Sequence, residues 1–112
     1  MDERAAPLPG QAAAEVPERF ERLMSCTEAD WQRWLPAALG AVTWQALGPS
    51  EIHARIGTGL LRLRWRVLPE RPLSPLVRLP QLLVAFAFED VGAGCRRVFM
   101  QRFDLYLQRG GG

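Results

Sequence analysis

Within residues 60–68, Leu-Leu-Arg-Leu-Arg-Trp-Arg-Val-Leu, hydrophobic and polar positions alternate strictly from Leu61 to Val67. Leu61, Leu63, Trp65 and Val67 fall on one side, and Arg62, Arg64 and Arg66 fall on the other. A period of two belongs to a strand, because successive side chains leave opposite faces of a pleated sheet. The pattern therefore predicts an apolar face that must be covered and a cationic face that stays open. Residues 51–57 alternate in the same way, with Ile52, Ala54 and Ile56 set against Glu51, His53 and Arg55. Gly57-Thr58-Gly59 between the two runs predicts a tight hairpin turn. Residues 82–88, Leu-Leu-Val-Ala-Phe-Ala-Phe, are apolar on both faces, as in a central strand. A last strand is predicted over about 97–108, with Phe99, Phe103, Leu105 and Leu107 on one face and Val98, Met100, Arg102, Asp104 and Tyr106 on the other.

The period changes upstream. Trp31, Trp34, Leu35, Ala38, Leu39 and Val42 recur at helical spacing. Thr27 precedes the run as an N-cap, Gly40 lies near its end, and Pro36 predicts a kink or a restart within it. A shorter helix is predicted from Pro17 to about Met24, offering Phe20, Leu23 and Met24 to the interior. Residues 69–80 form a proline-rich connection, with Leu73, Leu76 and Leu79 expected to pin it to the body.

These elements compose an α+β domain: N-terminal helices packed on one face of a four-stranded antiparallel meander. The Trp-bearing helix covers the face made by Leu61, Trp65, Phe86 and Phe103. The order of elements is similar to cystatin-like helix-on-sheet folds, and the similarity is one of element order alone. Residues 1–16 read as a flexible arm, 17–109 as a single domain, and 110–112 as a flexible glycine tail.

The chain has 112 residues, 48% of them hydrophobic, with four Trp and five Phe. That is enough for one core without disulfides or metal. No apolar run is long enough to predict a membrane span, and the N-terminus lacks the apolar stretch of a secretion signal. The expectation is a cytoplasmic protein, and one that takes no membrane as partner. Cys26 and Cys95 then read as two reduced thiols. All fourteen basic residues are Arg, and the net charge of +2 is unevenly shared. Residues 1–50 carry four Arg against seven acids, a net −3, and residues 51–112 carry ten Arg against five, a net +5. A basic second half points to an anionic partner.

The chemistry-bearing motifs are sparse. There is no Walker A sequence, GxGxxG, CxxC or HxxxH, so no cofactor and no metal site is expected. His53 lacks a strained nucleophile turn to serve, and a non-catalytic role is expected. The candidate site is the cationic sheet face, formed by Arg55, Arg62, Arg64, Arg66 and Arg102 with Tyr106. It would bind an acidic protein surface or a second copy of the chain as a homodimer, since Arg, Tyr and Met are enriched at interfaces. Nucleic acid fits poorly, because Tyr106 alone offers a ring for base stacking. The alternative is a small-ligand-binding protein or an enzyme, with a pocket between the Trp-bearing helix and the sheet lined by Trp31, Trp34 or Trp65.

Overall fold

The computed structural model describes residues 15–111, with side chains to residue 108. The arm expected over residues 1–16 lies outside the described residues apart from Glu15 and Val16. Seven elements follow in order: β1 (Arg19–Met24), α1 (Glu28–Leu39), β2 (Trp44–Ala46), β3 (Glu51–Ile56), β4 (Gly59–Ser74), β5 (Val77–Glu89) and α2 (Ala93–Gly111). They form an α+β fold with one five-stranded antiparallel sheet, ordered β1-β5-β4-β3-β2.

The helix with the Trp stripe forms as its pattern dictates. The Thr27 hydroxyl accepts from the Asp30 amide at 3.0 Å, and Glu28 and Asp30 place negative charge at the positive end of the helix dipole. Pro36 sits inside α1 without ending it. Proline removes the amide that would bond to residue 32, but Gln32 and Pro36 are both exposed, so water can satisfy that carbonyl. Gly40 caps the end at φ +70°, its amide donating to the Pro36 carbonyl. Glu28 also accepts from the Trp65 indole nitrogen at 2.9 Å, tying the start of α1 to β4.

Three expectations are corrected. The segment expected as a first helix is β1, an edge strand on β5 with Phe20 opposite Phe86 and Met24 opposite Leu82. Its true period is two: Phe20, Arg22 and Met24 face inward, and Leu23 is exposed. Arg22 conceals the alternation, because an inward charge looks wrong until its partner is known. That partner is Asp104 of α2, which takes the guanidinium with both carboxylate oxygens.

The segment expected as a last strand is the helix α2. Phe99, Met100, Phe103 and Leu107 recur at spacings of three and four and turn toward the sheet, while Leu105 is exposed. The helix also runs through Gly110 and Gly111, which the sequence assigns to a tail, and Gly112 lies outside the described residues. The fold therefore departs from the four-stranded, helices-first, cystatin-like order: one helix follows a first strand and the other closes the chain.

The proline-rich connection is no loop pinned to the body. β4 and β5 continue through it as a two-stranded arm, pairing Leu68 with Gln81, Arg71 with Leu79, Pro72 with Arg78 and Ser74 with Val77. β1 reaches β5 only from Leu82 to Ala87, and β3 reaches β4 only from Gly59 to Arg64. Beyond those limits no other described strand pairs with the arm, and Leu73, Leu76 and Val77 are exposed, Leu76 by 94%.

Both helices pack on one face of the sheet. Trp31 of α1 meets Trp65 and Phe103 edge-on at 5.6 and 6.1 Å. Phe103 and Phe99 of α2 meet Phe86 and Phe88 at 5.6 and 6.0 Å. Arg96 fastens the corner between β5 and α2: it donates to the carbonyls of Val16 and Val91 at 2.8 and 2.6 Å.

Candidate functional site

Both helices lie on the inner face, and among the described residues no element covers the outer face of the sheet. Register sorts it into three rows running across the strands. One row is Arg19, Ala87, Arg62, His53 and Gln45; the next is Glu21, Ala85, Arg64 and Glu51; the third is Leu23, Leu83 and Arg66. The alternation read from residues 60–68 thus places Arg62, Arg64 and Arg66 together on one open surface, as expected. Arg55 lies on the same face at the end of β3, opposite Leu60.

The three β4 arginines differ in what they meet. Arg62 is half-buried and held by Glu89 at 3.0 Å, with Glu51 at 3.9 Å. Its Nε lies 3.3 Å from His53 Nε2, which also lies 2.9 Å from Glu51 Oε2. A protonated His53 Nε2 donates to Glu51, and an unprotonated one accepts from Arg62. Arg62 therefore belongs to a cross-strand charge cluster that holds the sheet together. Arg64 and Arg66 are exposed and make no ion pair among the described residues.

Beside them lies a recess of about 300 Å³. Leu83 and Ala85 form its floor, Arg64 and Arg66 one wall, and Glu21 of β1 the other. Alanine is what opens it: Ala85 and Ala87 leave a trough along β5 between the longer side chains of β1 and β4. Glu21 and Arg19 escape a reading of the sequence because β1 reads there as a helix.

Two expected members of the face are elsewhere. Arg102 and Tyr106 belong to α2, on the other side of the sheet, where the Arg102 guanidinium stands over the Tyr106 ring at 5.4 Å. Four residues apart, they are neighbours on a helix and could share a sheet face only if the segment were extended.

The three tryptophans of the alternative pocket do not line one space. Trp31 is fully buried and packed against Trp65 and Phe103. Its indole nitrogen has no hydrogen-bond partner among the described residues, a cost of about 1–3 kcal/mol that the ring packing must offset. Trp65 borders a shallow recess of about 160 Å³ between α1 and β2, and Trp34 borders a different one of about 400 Å³ beside Arg22 and Asp104.

Candidate reactive groups stand apart. Cys26 is buried and Cys95 is exposed at the start of α2, and neither is in a disulfide. Burial, with a smaller contribution from the Asp30 carboxylate, raises the pKa of the Cys26 thiol above its ordinary value and keeps it protonated. Among the described residues no group of three His, Cys, Asp or Glu side chains could hold a metal ion, and no helix is long and apolar enough to cross a membrane.

No known protein family, curated protein or solved structure matches the chain.

Proposed function

We propose that the protein is a non-catalytic interaction domain that takes an acidic protein surface onto the outer face of its sheet. The observation that carries this reading is the recess walled by Arg64 and Arg66, two exposed guanidiniums without an ion-pair partner among the described residues, on a sheet face that neither helix covers. Carboxylates arriving there meet planar forks suited to two parallel hydrogen bonds. Leu83 and Ala85 supply apolar area beneath them, a combination of apolar floor and charged rim that suits a protein contact. The exposed aliphatic tip of the β4–β5 arm, next to this face, adds to the case, because isolated apolar side chains so far from a core gain little unless something covers them.

A second copy of the chain is the alternative partner. Glu21 on the opposite wall favours it, because a two-fold axis would set Glu21 of one copy against Arg64 of the other.

The test uses a fluorescent glutamate-rich peptide and sedimentation of the protein alone. The Arg64→Gln, Arg66→Gln variant is expected to weaken peptide binding about tenfold, or roughly 1.4 kcal/mol, with thermal stability unchanged. If self-association is the function, the same variant lowers the dimer population instead. Peptide affinity and oligomeric state both untouched by the double substitution would refute the reading.

A further inference from the structure

Another concave surface lies on the helical side of the molecule, away from the sheet's outer face and independent of it. It is an open groove of about 520 Å³ where the end of α1, the end of β3 and the first half of α2 converge. Its walls are aliphatic and aromatic: Leu39 and Val42 from α1 and the turn after it, Ile56 from β3, Val98 and Phe99 from α2. The volume is that of a small-molecule site, and the lining is of the apolar kind such sites favour.

The charges at this groove are all of one sign. Arg97 and Arg102 line it, and among the described residues no acidic side chain does. Among the described residues neither forms an ion pair, whereas Arg22, Arg33, Arg62 and Arg96 each meet a carboxylate. Arg102 is also held in place. Its guanidinium is stacked over the Tyr106 ring on one side and lies against Gly40 on the other. A Cβ at position 40 would collide with that guanidinium, so the helix cap that suits φ +70° also leaves the space the charge occupies. The Arg97 guanidinium lies over the first turn of α2, near Gly94. Two positive charges on the lining of an apolar groove, one of them positioned by Tyr106 and Gly40, define what would fill it.

We propose that the groove binds a single-chain amphipathic carboxylate. Its hydrocarbon chain lies on Leu39, Val42, Ile56 and Phe99, and its head group is held between Arg97 and Arg102. Each methylene removed from water contributes about 0.8 kcal/mol, and the head group replaces water around two guanidiniums that no carboxylate among the described residues neutralises. A cationic amphiphile would be repelled, and a neutral one would gain only the chain's burial.

The experiment titrates the intact chain with dodecanoate, below its aggregation concentration, by calorimetry. Dodecanol and dodecyltrimethylammonium serve as head-group comparators. Dodecanoate is expected to bind at least tenfold tighter than either. The Arg97→Gln, Arg102→Gln variant should lose that preference over dodecanol while keeping its thermal unfolding. Arg102→Lys should retain part of it, because it keeps the charge without the fork.

Cys95 gives a readout on the unmodified chain, which stands even if a variant fails to fold. This exposed thiol lines the groove and Cys26 is buried, so iodoacetamide reports on Cys95 alone. Saturating dodecanoate should slow its alkylation several-fold. Leu76→Ser, at the arm tip, should change nothing; a loss of binding there would move the site to the arm. Equal affinity for the three amphiphiles, a preference indifferent to Arg97 and Arg102, or an unprotected Cys95 would overturn the proposal. None of these outcomes depends on Arg64 or Arg66, so the sheet-face reading stands or falls separately.

Discussion

Truncating Phe103 to alanine removes the side chain on which α2 turns toward the sheet. Phe103 is wholly buried, and its ring meets Trp31, Phe86 and Phe99 at 6.1, 5.6 and 5.6 Å. Emptying a fully buried phenylalanine site costs about 3–5 kcal/mol, with the lost edge-on aromatic contacts placing it toward the upper end. A domain of this size has roughly 5–15 kcal/mol of total stability, so Phe103→Ala should still fold in water. With a urea slope of about 2 kcal/mol per molar, the midpoint should fall by roughly 2 M.

The informative control is Leu105→Ala. On a strand, residues 103 and 105 share a face, and truncating either would empty the core. On a helix they lie about 200° apart, and Leu105 is 45% exposed. Its loss should therefore cost less than about 1 kcal/mol. Urea titrations followed by tryptophan fluorescence and by far-ultraviolet circular dichroism measure both variants, with Trp31 beside the cavity as the local reporter. Comparable losses for the two substitutions would refute the helical packing of α2 and the placement of Arg102 and the groove with it.

Three further outcomes follow from the same geometry. Gly40→Ala puts a side chain at φ +70° and against the Arg102 guanidinium; it should cost about 1–2 kcal/mol in urea unfolding and weaken dodecanoate binding. No change in either would show that the cap does not position Arg102. At neutral pH one thiol, Cys95, should react rapidly and Cys26 only after unfolding. Because folding raises the Cys26 pKa, its contribution is fully present below the ordinary thiol range and is lost as pH rises through the raised value. Cys26→Ala should therefore flatten part of the alkaline fall in melting temperature, and an identical pH profile for the variant would contradict that assignment.

The elements legible in the sequence share one property: their apolar pattern is complete without knowledge of a distant partner. The α1 stripe carries its own cap at Thr27 and its own stop at Gly40. β3, the first half of β4 and the last half of β5 show period-two or fully apolar runs, and the turn at Gly57-Thr58 joins the first two. β1 was hidden by Arg22, whose inward direction makes sense only with Asp104, far along the chain. α2 was hidden by Phe103, Leu105 and Leu107, three apolar residues two apart that mimic a strand. Helical spacing was present as well, in Phe99, Phe103 and Leu107 and in Met100, but a short amphipathic window supports either period. The candidate site divides the same way. Arg62, Arg64 and Arg66 follow from one strand's alternation, whereas Glu21 and the Arg102 groove depend on which segments come together.

The arm of β4 and β5 raises a different question, which is why an isolated ribbon with an aliphatic tip does not simply pair with its neighbours. A two-stranded hairpin without a core is marginal, and its bare edges invite strand addition. Prolines at 69, 72, 75 and 80 answer both problems at once. Pro69, Pro72 and Pro80 each remove an amide from the ribbon and so interrupt continuous pairing with another chain, and Pro75 lies in the turn at its tip. Each also fixes a backbone angle and lowers the entropy of the unfolded segment, where no packing is available to compensate. At the tip the Ser74 hydroxyl accepts from the amides of Leu76 and Val77 at 3.3 and 3.1 Å, closing the turn around Pro75. Backbone recognition is thereby suppressed while Leu73, Leu76 and Val77 remain presented between Arg71 and Arg78. What the arm offers a partner is aliphatic side chains flanked by positive charge, the same chemistry that the sheet face offers through Leu83, Ala85, Arg64 and Arg66. Both surfaces are built on β4 and β5, so the acidic partner proposed above, if it has an apolar centre, is expected to lose affinity on Leu76→Ser as well as on Arg64→Gln, Arg66→Gln.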